Sequence, residues 1–210
     1  NVTVSNSGRG TDNATLVFTD SKEETGAFFQ SRGVVAWSNT GSPVTWFDPV
    51  SIGRTWSSNW MAFASEELHT YANLRNGGGD PCRLIGYSQK YVSTQISKGE
   101  LPDNRTWRLP KGREYMQYGF TPENKVGSWA NGWNFNNGKF LPASGMRSVA
   151  DGQLRESGVG YYWLSDYFTI IDDFGKQYMG RGSKVSSEKV IEEGVVYHSA
   201  AGFQIRCVRQ

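Results

Sequence analysis

The sequence predicts an α+β fold made mostly of short strands and loops, with two short helices. Aromatic residues are abundant, with 8 Trp, 10 Tyr and 11 Phe, and the 210 residues include 25 glycines. Hydrophobic residues of all kinds nevertheless make up only 37% of the chain. This composition favours a loop-rich β-containing domain over a helical bundle, because aromatic side chains suit pleated surfaces and glycine suits turns.

A chain of this length fits one domain and can bury roughly 70% of the surface that its unfolded form exposes. No internal repeat and no low-complexity linker interrupts it. We therefore predict a single domain over residues 1–210.

The first 63 residues alternate polar and apolar positions between turn residues. Short strands are predicted at four places. They are Val2 with Val4, Leu16 with Phe18, Val34 with Ala36, and Trp46 with Phe47.

Two helices are predicted. The first spans residues 65–75, where Ser65 can cap the helix and Gly77 begins the glycine run that ends it. The second spans residues 111–118, between Pro110 and Gly119.

The later part of the chain is predicted to be strands. Prolines and glycines divide residues 140–166 into short extended pieces, which end in the aromatic run Tyr161–Trp163. At the C-terminus, Phe203, Ile205 and Cys207 alternate with Gln204, Arg206 and Val208, so the two sets should lie on opposite faces of a strand.

Charge and hydropathy exclude two classes of partner. The formal net charge is only +2 and no long basic block occurs, so we expect no nucleic-acid binding. No apolar run approaches the ~18 residues that a membrane-spanning helix needs. Asn1 begins inside a strand-like pattern, so we expect that upstream sequence was processed or cut away.

The two cysteines, Cys82 and Cys207, allow two interpretations. They can form a catalytic or metal-binding pair, although the only histidines are His69 and His198. Alternatively they form a disulfide, as in many exported proteins, and we favour this interpretation.

Several sequence blocks occur in a familiar order. DPCRLIG (80–86) is followed by TWRLPKGREY (106–115), then FLPASGMR (140–147) with GYYWLSD (160–166), and finally AGFQIRCVRQ (201–210). Over residues 80–210 the chain resembles the Fibrobacter succinogenes major paralogous domain, which occurs on exported Bacteroidetes proteins. The resemblance implies a C-type-lectin-like fold with a twisted antiparallel sheet. In that fold the terminal strands usually pair, so residues 1–79 should complete the same domain with N-terminal strands and a helix.

The match extends to individual residues. Five positions fit the family pattern: Cys82, Arg108, Leu109, Pro110 and Glu114. Lys111 and Tyr115 depart from it, standing where the family has Thr and Trp, and about twenty extra residues before Trp107 should form a loop. The resemblance implies that Cys82 and Cys207 are the family's structural disulfide.

No catalytic site is predicted. The chain has no GxSxG, HExxH, GxGxxG or P-loop motif, and each histidine stands alone. The formylglycine-generating enzymes, which share the C-type-lectin-like fold, are oxidases that hold copper with a thiol pair in the C-terminal part of the fold. Only Cys207 lies near the C-terminus here. We therefore predict neither an enzyme nor a cofactor.

No metal site is predicted either. Calcium-dependent lectins carry Glu-Pro-Asn or Trp-Asn-Asp, and both signatures are absent. Asp172 and Asp173 are interpreted as turn residues.

The loop between Gly119 and Gly138 is the candidate binding site. Indoles stack on sugar rings, and Asn amides offer a donor and an acceptor to hydroxyl pairs. The candidate residues are Trp129, Trp133, Asn134, Asn136 and Asn137. The alternative is that Trp133 and Phe135 belong to the core and the asparagines form turns. Trp107 and Trp163 are predicted to be core residues.

These inferences predict a non-enzymatic recognition domain at the cell surface, either an adhesin or a fimbrial tip subunit. It would bind a glycan or a surface protein through loops at residues 120–138 and 165–185. A structural subunit that contacts other fimbrial subunits without binding glycan is the first alternative. A formylglycine-generating-type oxidase is the second.

Overall fold

The structure, a computed structural model, describes residues 2–6, 14–19, 26–38, 46–50, 53–61 and 68–210. These residues form mostly strands with a few short helices and many loops, as an α+β fold requires. The C-type-lectin-like arrangement stays a prediction.

Strands are short except for two long ones near the C-terminus. The strands are β1 (Val2–Asn6), β2 (Ala14–Phe18), β3 (Phe29–Gln30), β4 (Ala36–Trp37), β5 (Trp46–Phe47), β6 (Trp107–Arg108), β7 (Lys125–Val126), β8 (Gly132–Phe135), β9 (Phe140–Pro142), β10 (Met146–Arg147), β11 (Leu154–Arg155), β12 (Gly160–Asp172), β13 (Gly175–Val185), β14 (Glu192–His198), β15 (Gly202–Phe203) and β16 (Val208–Arg209). The helices are α1 (Tyr71–Arg75), α2 (Gln89–Ser97) and α3 (Glu114–Gln117), and 3₁₀ turns occur at Pro81–Leu84 and Pro122–Asn124.

The described strands form several small antiparallel sheets rather than one large sheet. Their strand orders are β1–β2, β4–β5, β6–β16, β7–β8–β9, β12–β13–β14 and β11–β10–β15–β3. The first strand pairs with β2, whereas β3 pairs with β15 near the C-terminus. The expected pairing of the ends of the chain is therefore made by Phe29–Gln30 and not by β1.

The strands predicted in the first 63 residues are largely present. β1 and β2 pair over five positions, from Val2 with Phe18 to Asn6 with Ala14. β4 and β5 pair Ala36 with Phe47. Val34 lies outside β4 but is fully buried.

The first predicted helix is shorter than expected. Residues 62–67 lie outside the described part, so the predicted cap at Ser65 falls there, and residues 68–70 are not helical. α1 begins instead after Thr70, whose side chain accepts a hydrogen bond from the Asn73 amide at 3.2 Å. This is an ordinary N-cap contact, which satisfies one amide of the first turn.

The second predicted helix is present as α3, in the interior of the predicted range. Lys111 lacks a capping hydroxyl, and its backbone amide donates to the Glu114 carboxylate. That carboxylate also forms a two-pronged ion pair with the Arg108 guanidinium, with both N–O distances 2.7 Å. Gly119 follows the helix at φ +87°, a conformation that suits glycine.

The segment between Cys82 and Trp107 was expected to be a loop, and this was wrong. It contains α2, which Ser88 caps by accepting from the Tyr91 amide at 3.2 Å. Val92 and Ile96, four residues apart, are both buried on one face of the helix.

The predicted C-terminal strand is interrupted. β15 and β16 are separated by residues 204–207, where Gln204 makes backbone hydrogen bonds with Tyr161 and Trp163. The chain thus changes its pairing partner from β3 to β12 and then to β6. Both sets of alternating side chains are buried, so this segment has no solvent-facing side.

Residues on both sides of position 80 share one hydrophobic cluster. Val2, Leu16 and Phe29 belong to it, together with Trp163 and Phe203. A second cluster lies around Tyr115, Phe120 and Trp133.

The disulfide between Cys82 and Cys207 is present, with 5.6 Å between the Cα atoms. It joins the 3₁₀ turn at Pro81–Leu84 to the segment just before β16. Within the described residues, no helix combines the length and the apolar character needed to span a bilayer.

Candidate functional site

Residues 120–138 were expected to be a binding loop, but they contain two strands of the β7–β8–β9 sheet. Gly132, Trp133 and Asn134 of β8 pair with residues 140–142 of β9. The backbone here is therefore fixed by ladder hydrogen bonds. Gly132 takes φ +150°, and a Cβ at this position would lie 2.3 Å from the Leu141 carbonyl oxygen.

Trp133 lies in the core and is only 6% exposed. Its indole Nε1 donates to the Ser186 main-chain oxygen at 2.9 Å, and the Lys125 ammonium lies 4.0 Å from its ring centre. Trp133 is thus held on several sides and is not free to stack on a ligand.

Trp129 is half-buried and packs edge-to-face on Trp133. The ring centres are 5.2 Å apart with an interplanar angle of 69°. Because Trp133 is fixed, it holds Trp129 against the protein while leaving part of the Trp129 side chain accessible.

The three asparagines do not form one surface with the tryptophans. Asn134 follows Trp133 in β8, so its side chain points to the opposite face of the sheet. Asn136 and Asn137 lie in the β8–β9 turn and are exposed. The Asn136 amide donates to the Asn124 side-chain oxygen at 2.9 Å, and the Asn137 amide to the Tyr118 main-chain oxygen at 3.1 Å.

Residues 165–185, the second expected loop, form most of the β12–β13 hairpin. Near its turn, the hairpin exposes Ile171 (82%) and Phe174 (92%). Asp172 stabilises the turn, since its carboxylate accepts from the Phe174 amide and the Gln177 side chain, both at 2.9 Å. Asp172 ends β12 and Asp173 begins the turn, so both lie at the turn that the sequence predicted.

A cavity of about 480 Å³ lies in the N-terminal part of the chain, away from the predicted site. Its walls include Gln30, Trp37, Arg54, Ser57 and Trp60. This volume falls in the range of small-molecule pockets, roughly 300–1,000 Å³. The reasoning from sequence missed it, although four of the eight tryptophans (37, 46, 56 and 60) fall within 24 residues.

Two buried titratable groups lie close to the disulfide-bonded region. Burial lowers the pKa of His69 to about 4, outweighing the Asp103 carboxylate, which lies 3.7 Å from Nδ1 and raises it. His69 is therefore neutral at pH 7, and its contact with Asp103 is not an ion pair there. Burial also raises the pKa of Asp80 to about 6.

Neither cysteine is a free thiol. Both cysteine sulfurs form the disulfide. Within the described ranges, no three His, Cys, Asp or Glu side chains are grouped so as to hold a metal ion. His198 lies in β14, away from His69 in sequence, and partial burial lowers its pKa.

Comparisons of the chain with known protein families, curated proteins and solved structures found no match.

Proposed function

We propose that this chain is a non-enzymatic recognition domain of an exported, cell-surface protein, acting as an adhesin or a fimbrial tip subunit. Its ligand is a glycan or a surface protein. The fimbrial and Bacteroidetes parts of this proposal come from the sequence resemblance alone.

Trp129 is the observation that carries the proposal. It is half-buried and packs on Trp133, whose Nε1 is itself hydrogen-bonded to the main chain. A partly exposed indole that is already fixed loses little side-chain entropy on binding, so it is well suited to contact a ligand. Among the five candidate residues, Trp129 would make the contact and Trp133 would position it.

The Cys82–Cys207 disulfide supports the exported location, because such bonds persist in oxidising compartments. It also weighs against the oxidase alternative, since neither sulfur is available as a copper-binding thiolate in the disulfide form.

The hairpin turn favours the second candidate, an assembly subunit that contacts other fimbrial subunits. Ile171 and Phe174 expose two apolar side chains at the end of a long hairpin. Such side chains are more typical of protein contacts than of glycan contacts.

Screening the wild-type chain on a glycan array and in protein pull-downs would distinguish the two candidates. Trp129→Ala would weaken glycan or host-protein binding at least tenfold if the chain is an adhesin. Phe174→Ser would abolish association with fimbrial subunits if it is an assembly subunit. Each variant serves as the other's control, because Trp129 lies between β7 and β8 and Phe174 lies in the turn between β12 and β13, and these strands belong to different sheets.

A further inference from the structure

The cavity beside Gln30, Trp37 and Trp60 has rigid walls. The Trp60 indole Nε1 donates to the Ser31 main-chain oxygen at 2.8 Å, and the Ser199 hydroxyl donates to the Trp60 main-chain oxygen at 2.9 Å. Trp37 packs edge-to-face on Trp56, with ring centres 5.4 Å apart. Two indoles are thus fixed at the cavity before any ligand arrives.

Gln30 supplies a fixed amide to the same cavity. It is only 5% exposed, and its Nε2 donates to the main-chain oxygens of Ser57 at 2.7 Å and Ala200 at 2.9 Å. These two hydrogen bonds set the orientation of the amide. No described residue donates to its Oε1, which therefore remains able to accept a hydrogen bond from a ligand.

The cationic side chain at the cavity, Arg54, already has partners within the protein. The Arg54 guanidinium donates to the Arg75 main-chain oxygen at 2.7 Å, and its Nε lies 3.7 Å from the buried Asp48 carboxylate. An anionic ligand would therefore have to compete with Asp48 for Arg54. A neutral ligand keeps this arrangement intact.

From these contacts we infer that the cavity binds one neutral sugar residue of a glycan. The apolar C–H face of the sugar stacks on an indole, and its hydroxyls bond to the Gln30 amide and to the side chains of Thr55 and Ser57. The inference rests on the proposed function in its glycan-binding form, and it adds a site separate from Trp129.

Two variants test the cavity. Trp60→Ala removes an indole wall, but it also removes the hydrogen bond to Ser31 and can lower stability. Thr55→Arg is the safer variant, because Thr55 lines the cavity and is exposed, so a longer side chain obstructs the cavity without disturbing the core. Thr94→Arg is the matched control, since Thr94 is an exposed threonine of α2 that does not line the cavity. Trp129→Ala is measured alongside to distinguish the cavity from the surface at Trp129.

The experiment is ligand-detected saturation-transfer NMR of the full chain with glucose, galactose, mannose, N-acetylglucosamine and sialic acid, followed by titration of any sugar that binds. We expect binding of at least one neutral sugar, weakened at least tenfold by Thr55→Arg and by Trp60→Ala and unchanged by Thr94→Arg.

Three outcomes would overturn the inference. Loss of sugar binding in Trp129→Ala alone would place the sugar at Trp129 and leave the proposed function intact. Binding of sialic acid alone would contradict a neutral ligand. Failure of the wild type to bind any of these sugars or any arrayed glycan would contradict both the cavity inference and the glycan-binding form of the proposed function. The pull-down would then test protein binding separately.

Discussion

The indole Nε1 of Trp163 donates to the main-chain oxygen of Phe29 at 2.7 Å, across 134 residues of sequence. Both residues are buried, and the Trp163 ring stacks on Phe203 with 4.0 Å between ring centres. This contact ties β12 to β3, so the early strands and residues 80–210 depend on each other for stability.

Replacing Trp163 with Phe should lower the free energy of unfolding by about 2–4 kcal/mol. The buried Phe29 carbonyl loses its donor, which costs about 1–3 kcal/mol, and the smaller ring leaves a cavity. Denaturant unfolding would measure the change. Trp129→Phe is the control and should cost less than 1 kcal/mol, since Trp129 is half-buried. Equal losses in the two variants would contradict this role of Trp163.

Removing the disulfide should destabilise the chain by about 4–5 kcal/mol. Cys82 and Cys207 close a loop of 125 residues, and the crosslink lowers the entropy of the unfolded chain. Denaturant unfolding of the oxidised wild type and of the double variant Cys82→Ala/Cys207→Ala would measure the difference in the free energy of unfolding. Titration of two free thiols in the unreduced wild type would contradict the bond.

His69 should titrate with a pKa of about 4, because burial disfavours its charged form. The unfolded chain takes up a proton near pH 6.5, whereas the folded chain does so only near pH 4. The free energy of unfolding therefore falls by about 3 kcal/mol, from this group alone, as the pH falls from 6.5 to 4.

The chain has only two histidines, so the NMR signal of His69 can be assigned with one His198→Gln variant. A pKa at or above 6.5 for His69 would show that attraction to the Asp103 carboxylate outweighs burial. His69→Leu should remove this part of the acid destabilisation.

Asp80 should have the opposite effect on the pH dependence of stability: it lowers the free energy of unfolding as the pH rises. Its two carboxylate oxygens accept from the Cys82 and Leu109 amides, both at 2.9 Å, yet burial dominates and raises its pKa to about 6. Between pH 4 and 6 the folded chain keeps a proton that the unfolded chain has lost. The contribution of Asp80 to stability therefore decreases by about 3 kcal/mol as the pH rises through this range.

Asp80→Asn isolates this effect. The variant should be less stable than the wild type, because an amide has one oxygen to serve two backbone donors. The stability difference between wild type and variant should shrink as the pH rises from 4 to above 6. A difference that grows over this range would mean that the two amide hydrogen bonds, and not burial, control the pKa.

Local patterns predicted much of the fold because the relevant contacts are short-range. The alternation in β1 and β2 and the Pro110–Gly119 limits of α3 are readable from neighbouring residues. α2 had equally local signals in Ser88, Val92 and Ile96. The family resemblance nevertheless predicts a loop here, because these residues are an insertion relative to the family pattern.

The candidate site was harder to predict because it depends on distant residues. The many Asn and Gly residues around β8 suggest a loop. Residues 132–135 instead form a strand because they pair with β9, and the Trp133 side chain then lies in the core. The cavity forms only when the Gln30 side chain hydrogen-bonds to Ser57 and Ala200, which are 27 and 170 residues away in sequence. No local sequence pattern predicts such long-range contacts.

The most direct test of the central claim is the affinity of wild type and Trp129→Ala for one ligand, found on the glycan array or in the pull-down. We predict that Trp129→Ala binds at least tenfold more weakly, about 1.4 kcal/mol, while its melting temperature and its circular dichroism stay close to wild type. Trp129→Phe should recover part of the affinity, because a flat ring is retained. Unchanged affinity in Trp129→Ala would contradict the account and exclude this surface as the recognition site.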